Sequence, residues 1–208
     1  MSIMETIILP ASDPDAIAHA LEVLQAGGLV AFPTDTVYGV GALAFDAPAV
    51  ESIYTAKNRP VEKAIPILLG GPEDLVKVTA DIPSIAAKLA ARFWPGALTL
   101  VVPKHPKLPD VVSSTPTVGV RVPDHPVARA LLRAAGPMAV TSANISGEAN
   151  LKTAEDVNLQ LNGRIPLILD GGETPGGVPS TVVNCLGTEP VILREGPITM
   201  KDIRFVLA

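Results

Sequence analysis

The sequence predicts an α/β fold, a single domain over residues 1–208 built on a twisted, mixed parallel and antiparallel sheet with helices on its faces. Three observations predict it. Segments with apolar residues at helical spacing alternate with short apolar runs along most of the chain. The runs are bounded by Gly, Pro or polar turn residues, as buried strands are. The last two runs are spaced so closely that they need not be parallel, which makes the expected sheet a mixed one.

The elements follow in order. Ser12-Asp13-Pro14 reads as an N-cap with proline at the first helical position, and Ile17, Leu21 and Leu24 then recur on one face until Gly27-Gly28 ends the helix. Leu29 to Phe32 is the first apolar run and the first expected strand. A helix over Asp46 to Lys57, a strand over Ile65 to Leu69, a helix over Pro83 to Arg92 and a strand over Leu98 to Val102 repeat the alternation. Val118 to Val122 is a further strand, and Asp124-His125-Pro126 opens a helix to about Ala135. After a strand over Met138 to Val140, Thr153 with Asp156 three residues on resembles a capping box for a helix to about Leu161. Strands over Leu167 to Leu169, Thr181 to Asn184 and Val191 to Leu193 follow, and Thr199 caps a last short helix. No fixed-period repeat is visible. The 21 prolines fall mostly between elements, and no stretch reads as a linker that would divide the chain.

Composition narrows the function. A 48% hydrophobic share is hard to reconcile with disorder. A formal charge of −5 and an aromatic content of 3% argue against direct, stable binding of nucleic acid. No apolar stretch approaches membrane-spanning length, and the first ten residues lack the basic and apolar regions of a secretory signal. Cys185 is the single cysteine, which fits a reducing cytoplasm.

Three polar segments interrupt the apolar pattern just after expected strands, where open α/β sheets bind ligands. Thr34 to Gly41 offers hydroxyls, a carboxylate and glycines that allow close backbone approach; the same residues equally suit a capped turn. Gly39 to Ala44 spells the dinucleotide pattern G-x-G-x-x-A, but polar and bulky residues separate it from the strand, and Arg59 stands where a ribose-binding acid belongs. Lys57-Asn58-Arg59-Pro60, with Lys63 close behind, is a basic cluster at a helix end. It can clamp a polyphosphate or simply complement the helix dipole in solvent. Thr141 to Gly147 is a run of small polar groups able to receive phosphate oxygens or to form an ordinary turn. The sequence contains no Walker-type loop and no G-x-S-x-G elbow, and His19, His105 and His125 lack metal-ligand spacing.

Taken together and in this order, these segments resemble the YrdC-like family of threonylcarbamoyl-adenylate synthases. Further landmarks are Trp94-Pro95-Gly96 before Leu98-Thr99, Val120-Arg121-Val122-Pro123, Ser142-x-Asn144, Gly171-Gly172 through Ser180-Thr181, and Leu193 to Pro197. The resemblance implies an open sheet around a large central cleft, and a reaction of L-threonine, bicarbonate or CO₂, and ATP with Mg²⁺. The product is threonylcarbamoyl-AMP, which a downstream threonylcarbamoyl transferase complex uses on tRNA. It implies that Thr36, Arg121 and Ser180 hold L-threonine, and that Arg59, Lys63, Thr117, Ser142, Asn144, Asn150 and Arg194 contact ATP. Lys57 and Arg59 are the implied catalytic cations, and Mg²⁺ would be bound mainly through ATP phosphates, with no protein ligand assigned. Some members carry a histidine where this chain has Ile67-Leu68, and longer members append a second domain; a chain ending at Ala208 is expected to be the single-domain form. The glycine-rich segment from Gly171 to Pro179 is expected to act as a lid over the site or as a mobile turn. Two rival expectations are a YciO-like paralogue without synthase activity and an RNA-binding module that uses the basic cleft.

Overall fold

The computed structural model of the protein describes residues 5–175 and 177–208. The strands are β1 (Ile7–Pro10), β2 (Val30–Pro33), β3 (Tyr38–Leu43), β4 (Ile67–Leu68), β5 (Leu98–Pro103), β6 (Thr117–Arg121), β7 (Met138–Ser142), β8 (Leu167–Asp170), β9 (Thr181–Asn184) and β10 (Val191–Arg194). The helices are α1 (Ala16–Gln25), α2 (Ala47–Lys57), α3 (Ser84–Phe93), α4 (Pro126–Ala135), α5 (Ala154–Leu161) and α6 (Met200–Leu207). All the strands join one sheet in the order β1-β8-β2-β3-β7-β4-β6-β5-β9-β10. Four pairs are parallel (β1 with β8, β8 with β2, β4 with β6, β5 with β9) and the other five antiparallel, so the sheet is mixed as expected.

Side-chain alternation along the strands creates two apolar layers. On β2, Val30 and Phe32 point into the smaller layer, where Ala20 and Leu24 of α1 and Leu131 of α4 cover the sheet. Ala31 points the other way, into the larger layer closed by Ile53 of α2, Leu89 of α3, Val157 of α5 and Ile203 of α6. Caps fix several helix starts. The Asp46 carboxylate accepts from Ala49 N at 3.1 Å, the Thr153 hydroxyl accepts from Asp156 N at 3.2 Å, and Thr199 and Asp202 form a reciprocal capping box.

Two strands depart from the sequence reading. β1 is an edge strand with Ile7 and Ile8 partly exposed, and it pairs in parallel with β8. β3 occupies residues expected to be a ligand loop, because Gly39 and Gly41 looked like turn residues. They serve close packing instead. A Cβ at Gly41 would meet Ala139 O at 2.6 Å and Val140 Cγ2 at 2.7 Å on the paired strand β7. Gly41→Ala is therefore expected to destabilise the fold by about 1–3 kcal/mol through overpacking, read as a lower urea midpoint. An unchanged midpoint would mean that β3 and β7 can part there without loss.

Candidate active site

The ends of β6, β7 and β10, the start of β9, the turn between β2 and β3, and the end of α2 converge on a cavity of about 380 Å³. Its walls include Thr36, Arg59, Arg121, Ser142, Asn150, Ser180 and Arg194. Four other assigned residues, Lys57, Lys63, Thr117 and Asn144, are not among the walls.

The β2–β3 turn is built around Thr34. Its hydroxyl donates to Val37 O at 2.7 Å, accepts from the Thr36 and Val37 amides at 3.2 Å, and lies 3.1 Å from Thr36 Oγ1. This fixes the hydroxyl of Thr36 toward Arg121, whose Nη1 donates to it at 3.1 Å. Arg121 ends β6, and its side chain is 7% exposed. Nε donates to Gly96 O at 2.9 Å, and Nη2 donates to Asp35 Oδ1 at 2.6 Å in an ion pair. The Gly96 carbonyl is in place because Gly96 N donates to Val122 O at 2.8 Å and Trp94 Nε1 donates to Leu98 O at 2.7 Å. Burial lowers the pKa of Arg121 and the Asp35 charge opposes it; a guanidinium stays protonated under either influence. Of its five N–H groups three are engaged, leaving one on each terminal nitrogen for a ligand.

Opposite, Arg194 at the end of β10 grips Ser180. Its Nε and Nη2 donate to Ser180 O at 3.1 and 2.8 Å, and Nη2 also donates to Ser180 Oγ at 3.1 Å. Burial, with the positive charge of Arg121, lowers the pKa of Arg194. Arg59 folds back on the segment after α2, donating from Nε to Lys63 O at 3.1 Å and from Nη2 to Ala64 O at 2.9 Å. Three guanidiniums therefore face one cavity.

Lys57 departs from the expectation that it faces phosphate. It is 1% exposed, and its Nζ donates to the carbonyls of Ser142 and Asn144. Its own carbonyl accepts from Ser146 N at 2.9 Å, so Lys57 holds the segment after β7 from behind the cavity wall. Burial, helped by the neighbouring Arg59 charge, pushes its pKa down to about 7. Asn144 turns inward as well, its Nδ2 donating to Ile145 O and Glu148 O at 2.9 and 2.8 Å. Its buried Oδ1 has no partner among the described residues. Lys63 is exposed and enters the site only through its carbonyl. Thr117, half-buried at the start of β6, bonds Thr115 Oγ1 at 3.0 Å.

Three participants lay in segments that the sequence marked but received no role there: Asp35 and Tyr38 in Thr34 to Gly41, and Thr99 in the landmark Leu98-Thr99. A threonine inside the apolar run of β5 was a usable signal for Thr99, since a hydroxyl in such a strand needs a partner. Tyr38 is buried with its hydroxyl donating to Gly172 O at 2.8 Å and accepting from Gly171 N at 3.2 Å, a role set by partners more than 130 positions away. Burial pushes that phenol up to about 12. The glycine-rich segment is thereby anchored at its start, and further along Thr174 N donates to Lys152 O at 2.9 Å and Gly177 N to Thr36 O at 3.1 Å. Of the expected lid, Gly176 lies outside the described residues.

Among the described residues no group of three or more His, Cys, Asp or Glu could hold a metal ion. The polar groups at the cavity are hydroxyls, amides and guanidiniums.

Comparison with known proteins matches residues 22–196 to the model of the Sua5/YciO/YrdC family, described under the heading of telomere recombination. A threonylcarbamoyl-AMP synthase of Bacillus subtilis is 45% identical over 202 residues, covering 96% of this chain and 58% of the relative. The chain thus spans under two thirds of the length of that relative. A solved structure of Sua5 from Pyrococcus abyssi in complex with L-threonine superposes with a TM-score of 0.92 at 41% identity, over 97% of this chain and 61% of that one. The crystal structure of YciO from E. coli superposes with a TM-score of 0.84 at 28% identity, over 98% of this chain and all of that one.

Proposed function

The chain belongs to the Sua5/YciO/YrdC family, and from that premise we propose that it is a nucleotidyltransferase that makes threonylcarbamoyl-AMP and pyrophosphate from L-threonine, bicarbonate and ATP. The observation that carries this reading is the pairing, in one cavity, of a carboxylate-binding corner with phosphate-binding cations. Arg121, with one N–H left on each terminal nitrogen, shares the cavity with Thr36 and Ser180, and Arg59 and Arg194 line the same space. The Pyrococcus relative, solved with L-threonine, supports threonine as the ligand of that corner.

The chemistry needs no protein nucleophile. The threonine amine and CO₂ form a carbamate, whose oxygen attacks the α-phosphorus of ATP as the bond to pyrophosphate breaks. The residues of the cavity then have two tasks: holding two anions within reach of each other, and offsetting charge on the transferring phosphoryl group. Arg121, Thr36 and Ser180 orient the amino acid by its carboxylate. Arg59 and Arg194, with the Ser142 hydroxyl and the Asn150 amide, take the nucleotide phosphates. Magnesium brought by ATP supplies further neutralisation of phosphate charge when bound. Carbamates decompose in water, so the segment tied to Thr36 and Lys152 would serve to exclude solvent. The product, a mixed anhydride, is expected to go to a separate threonylcarbamoyl transferase complex in the cytoplasm. Among the described residues no helix is long and apolar enough to cross a membrane.

Incubation of the pure protein with ATP, Mg²⁺, L-threonine and labelled bicarbonate is expected to give a labelled adenylate, with pyrophosphate release that needs both bicarbonate and threonine. Valine, which lacks the hydroxyl, should not substitute, and tRNA should be neither required nor modified. Pyrophosphate release that persists without bicarbonate would make the protein an amino-acid adenylating enzyme or an ATP pyrophosphatase. No release at all would favour a YciO-like paralogue without synthase activity.

A further inference from the structure

We propose that Thr99, a residue of β5 outside the substrate contacts assigned above, is a positioning residue that sets the hydroxyl of Ser180 as a hydrogen-bond donor to the carboxylate of the bound amino acid. This rests on the reading of the cavity as an amino-acid site.

Thr99 is 4% exposed and Ser180 is 3% exposed, and both line the cavity. Their hydroxyl oxygens are 2.8 Å apart. Between them the two residues carry two O–H protons, and one is used in the bond they share. Arg194 Nη2 occupies one lone pair of Ser180 Oγ at 3.1 Å. When an anion enters, the arrangement that uses every group has Thr99 donating to the second lone pair of Ser180, so that the Ser180 proton points at the anion. Both acceptor positions of Ser180 are then filled by donors, one of them cationic, and each strengthens the remaining O–H as a donor. Without Thr99, Ser180 has a vacant lone pair and a freely turning proton.

The backbone around Thr99 fixes its rotamer for this task. Thr99 pairs with Val182 in the parallel ladder of β5 and β9, which brings it level with the start of β9, just past Ser180. Its methyl group rests in the space over Gly119 of β6, where an added Cβ would lie 3.1 Å from Thr99 Cγ2 and 3.5 Å from Pro66 Cβ. Steric fit therefore sends the methyl toward Gly119 and leaves the hydroxyl to face Ser180. Among the described residues, Ser180 is the one hydrogen-bond partner of that hydroxyl. A hydroxyl needed only to satisfy the fold would more economically be a valine of the same shape in a strand otherwise made of Leu, Val and Pro.

The test compares Thr99→Val, which keeps the shape and the methyl, with Thr99→Ser, which keeps the hydroxyl. Thr99→Val is expected to raise the KM for L-threonine about fivefold to tenfold, the worth of one hydrogen bond, with the KM for ATP and the thermal midpoint nearly unchanged. Thr99→Ser should restore the KM for threonine. Ser180→Ala should raise it more, and the double variant Thr99→Val with Ser180→Ala should be no worse than Ser180→Ala alone, because Thr99 acts through that hydroxyl. Wild-type threonine kinetics in Thr99→Val, or losses that add in the double variant, would overturn the inference and leave the proposed function standing. A wild-type protein whose pyrophosphate release ignores threonine would overturn the function, and this inference with it.

Discussion

Arg121→Lys is expected to raise the KM for L-threonine on the order of 100-fold while leaving ATP affinity close to wild type, because the arginine performs two tasks that only a planar fork can combine. Nε, Nη1 and Nη2 each spend one N–H on the protein, on Gly96 O, Thr36 Oγ1 and Asp35 Oδ1. That leaves one N–H on each terminal nitrogen to donate to the carboxylate of a ligand. An ammonium has three donors around a point charge; it can satisfy Asp35 or the ligand, but cannot keep both and brace Gly96 as well. The check is isothermal calorimetry with each substrate separately. ATP affinity that falls while threonine affinity holds would show that Arg121 serves the nucleotide instead.

The second large effect concerns Lys57. Lys57→Met leaves the carbonyls of Ser142 and Asn144 buried without a donor, and is expected to lower stability by about 2–5 kcal/mol and to abolish most pyrophosphate release. The loss of activity follows from movement of Ser142, whose carbonyl the lysine holds, since the lysine itself does not line the cavity. A pH signature separates this from simple damage. With the folded pKa near 7 against an ordinary 10.5, the unfolded chain binds a proton at Lys57 that the folded chain does not hold between those values. Stability therefore rises with pH above about 7 through this residue, since the unfolded state binds more protons there. The neutral amine still has two N–H groups, one for each carbonyl, so losing the proton costs no hydrogen bond. Above the ordinary thiol value of 9.0 the buried Cys185, pushed up to about 12, opposes the trend, which makes the range from 7 to 9.0 the one to measure. Thermal unfolding across it should show a rising midpoint in the wild type and a flatter one in Lys57→Met. Equal slopes would mean that Lys57 stays charged in the fold.

Most elements were legible in the sequence because their signals are local. Helical spacing marked α2, a capping box marked α5, and short strand-like runs marked β2, β5 and β9 within a residue or two. What stayed hidden depends on partners far along the chain. Gly39 and Gly41 read as loop residues because the sequence does not reveal that β7 passes within reach of them. The short run Ile7–Pro10 became a strand only because β8, about 160 residues later, lies beside it in parallel. The same limit applies to the site. Sequence marked Lys57 and Asn144 as polar groups at a binding segment, but their direction, inward onto carbonyls, is set by how α2 packs beneath the end of β7. Asp35 lay between two residues of the marked turn, and its pairing with Arg121 spans 86 positions.

The sheet order has a consequence for how this molecule comes into being. β3, β7 and β4 lie side by side although they are far apart in the chain, and β2 is flanked by β3 and β8. The cavity draws together Thr36 and Arg194, which lie more than 150 positions apart in the sequence. A nascent chain therefore has nothing resembling this cavity until Arg194 has left the ribosome, and the closure of long loops makes the search for the native sheet slow. Ligands that bridge Thr36, Arg121 and Arg194 would act as late staples, favouring the assembled chain over every partly paired intermediate that precedes it.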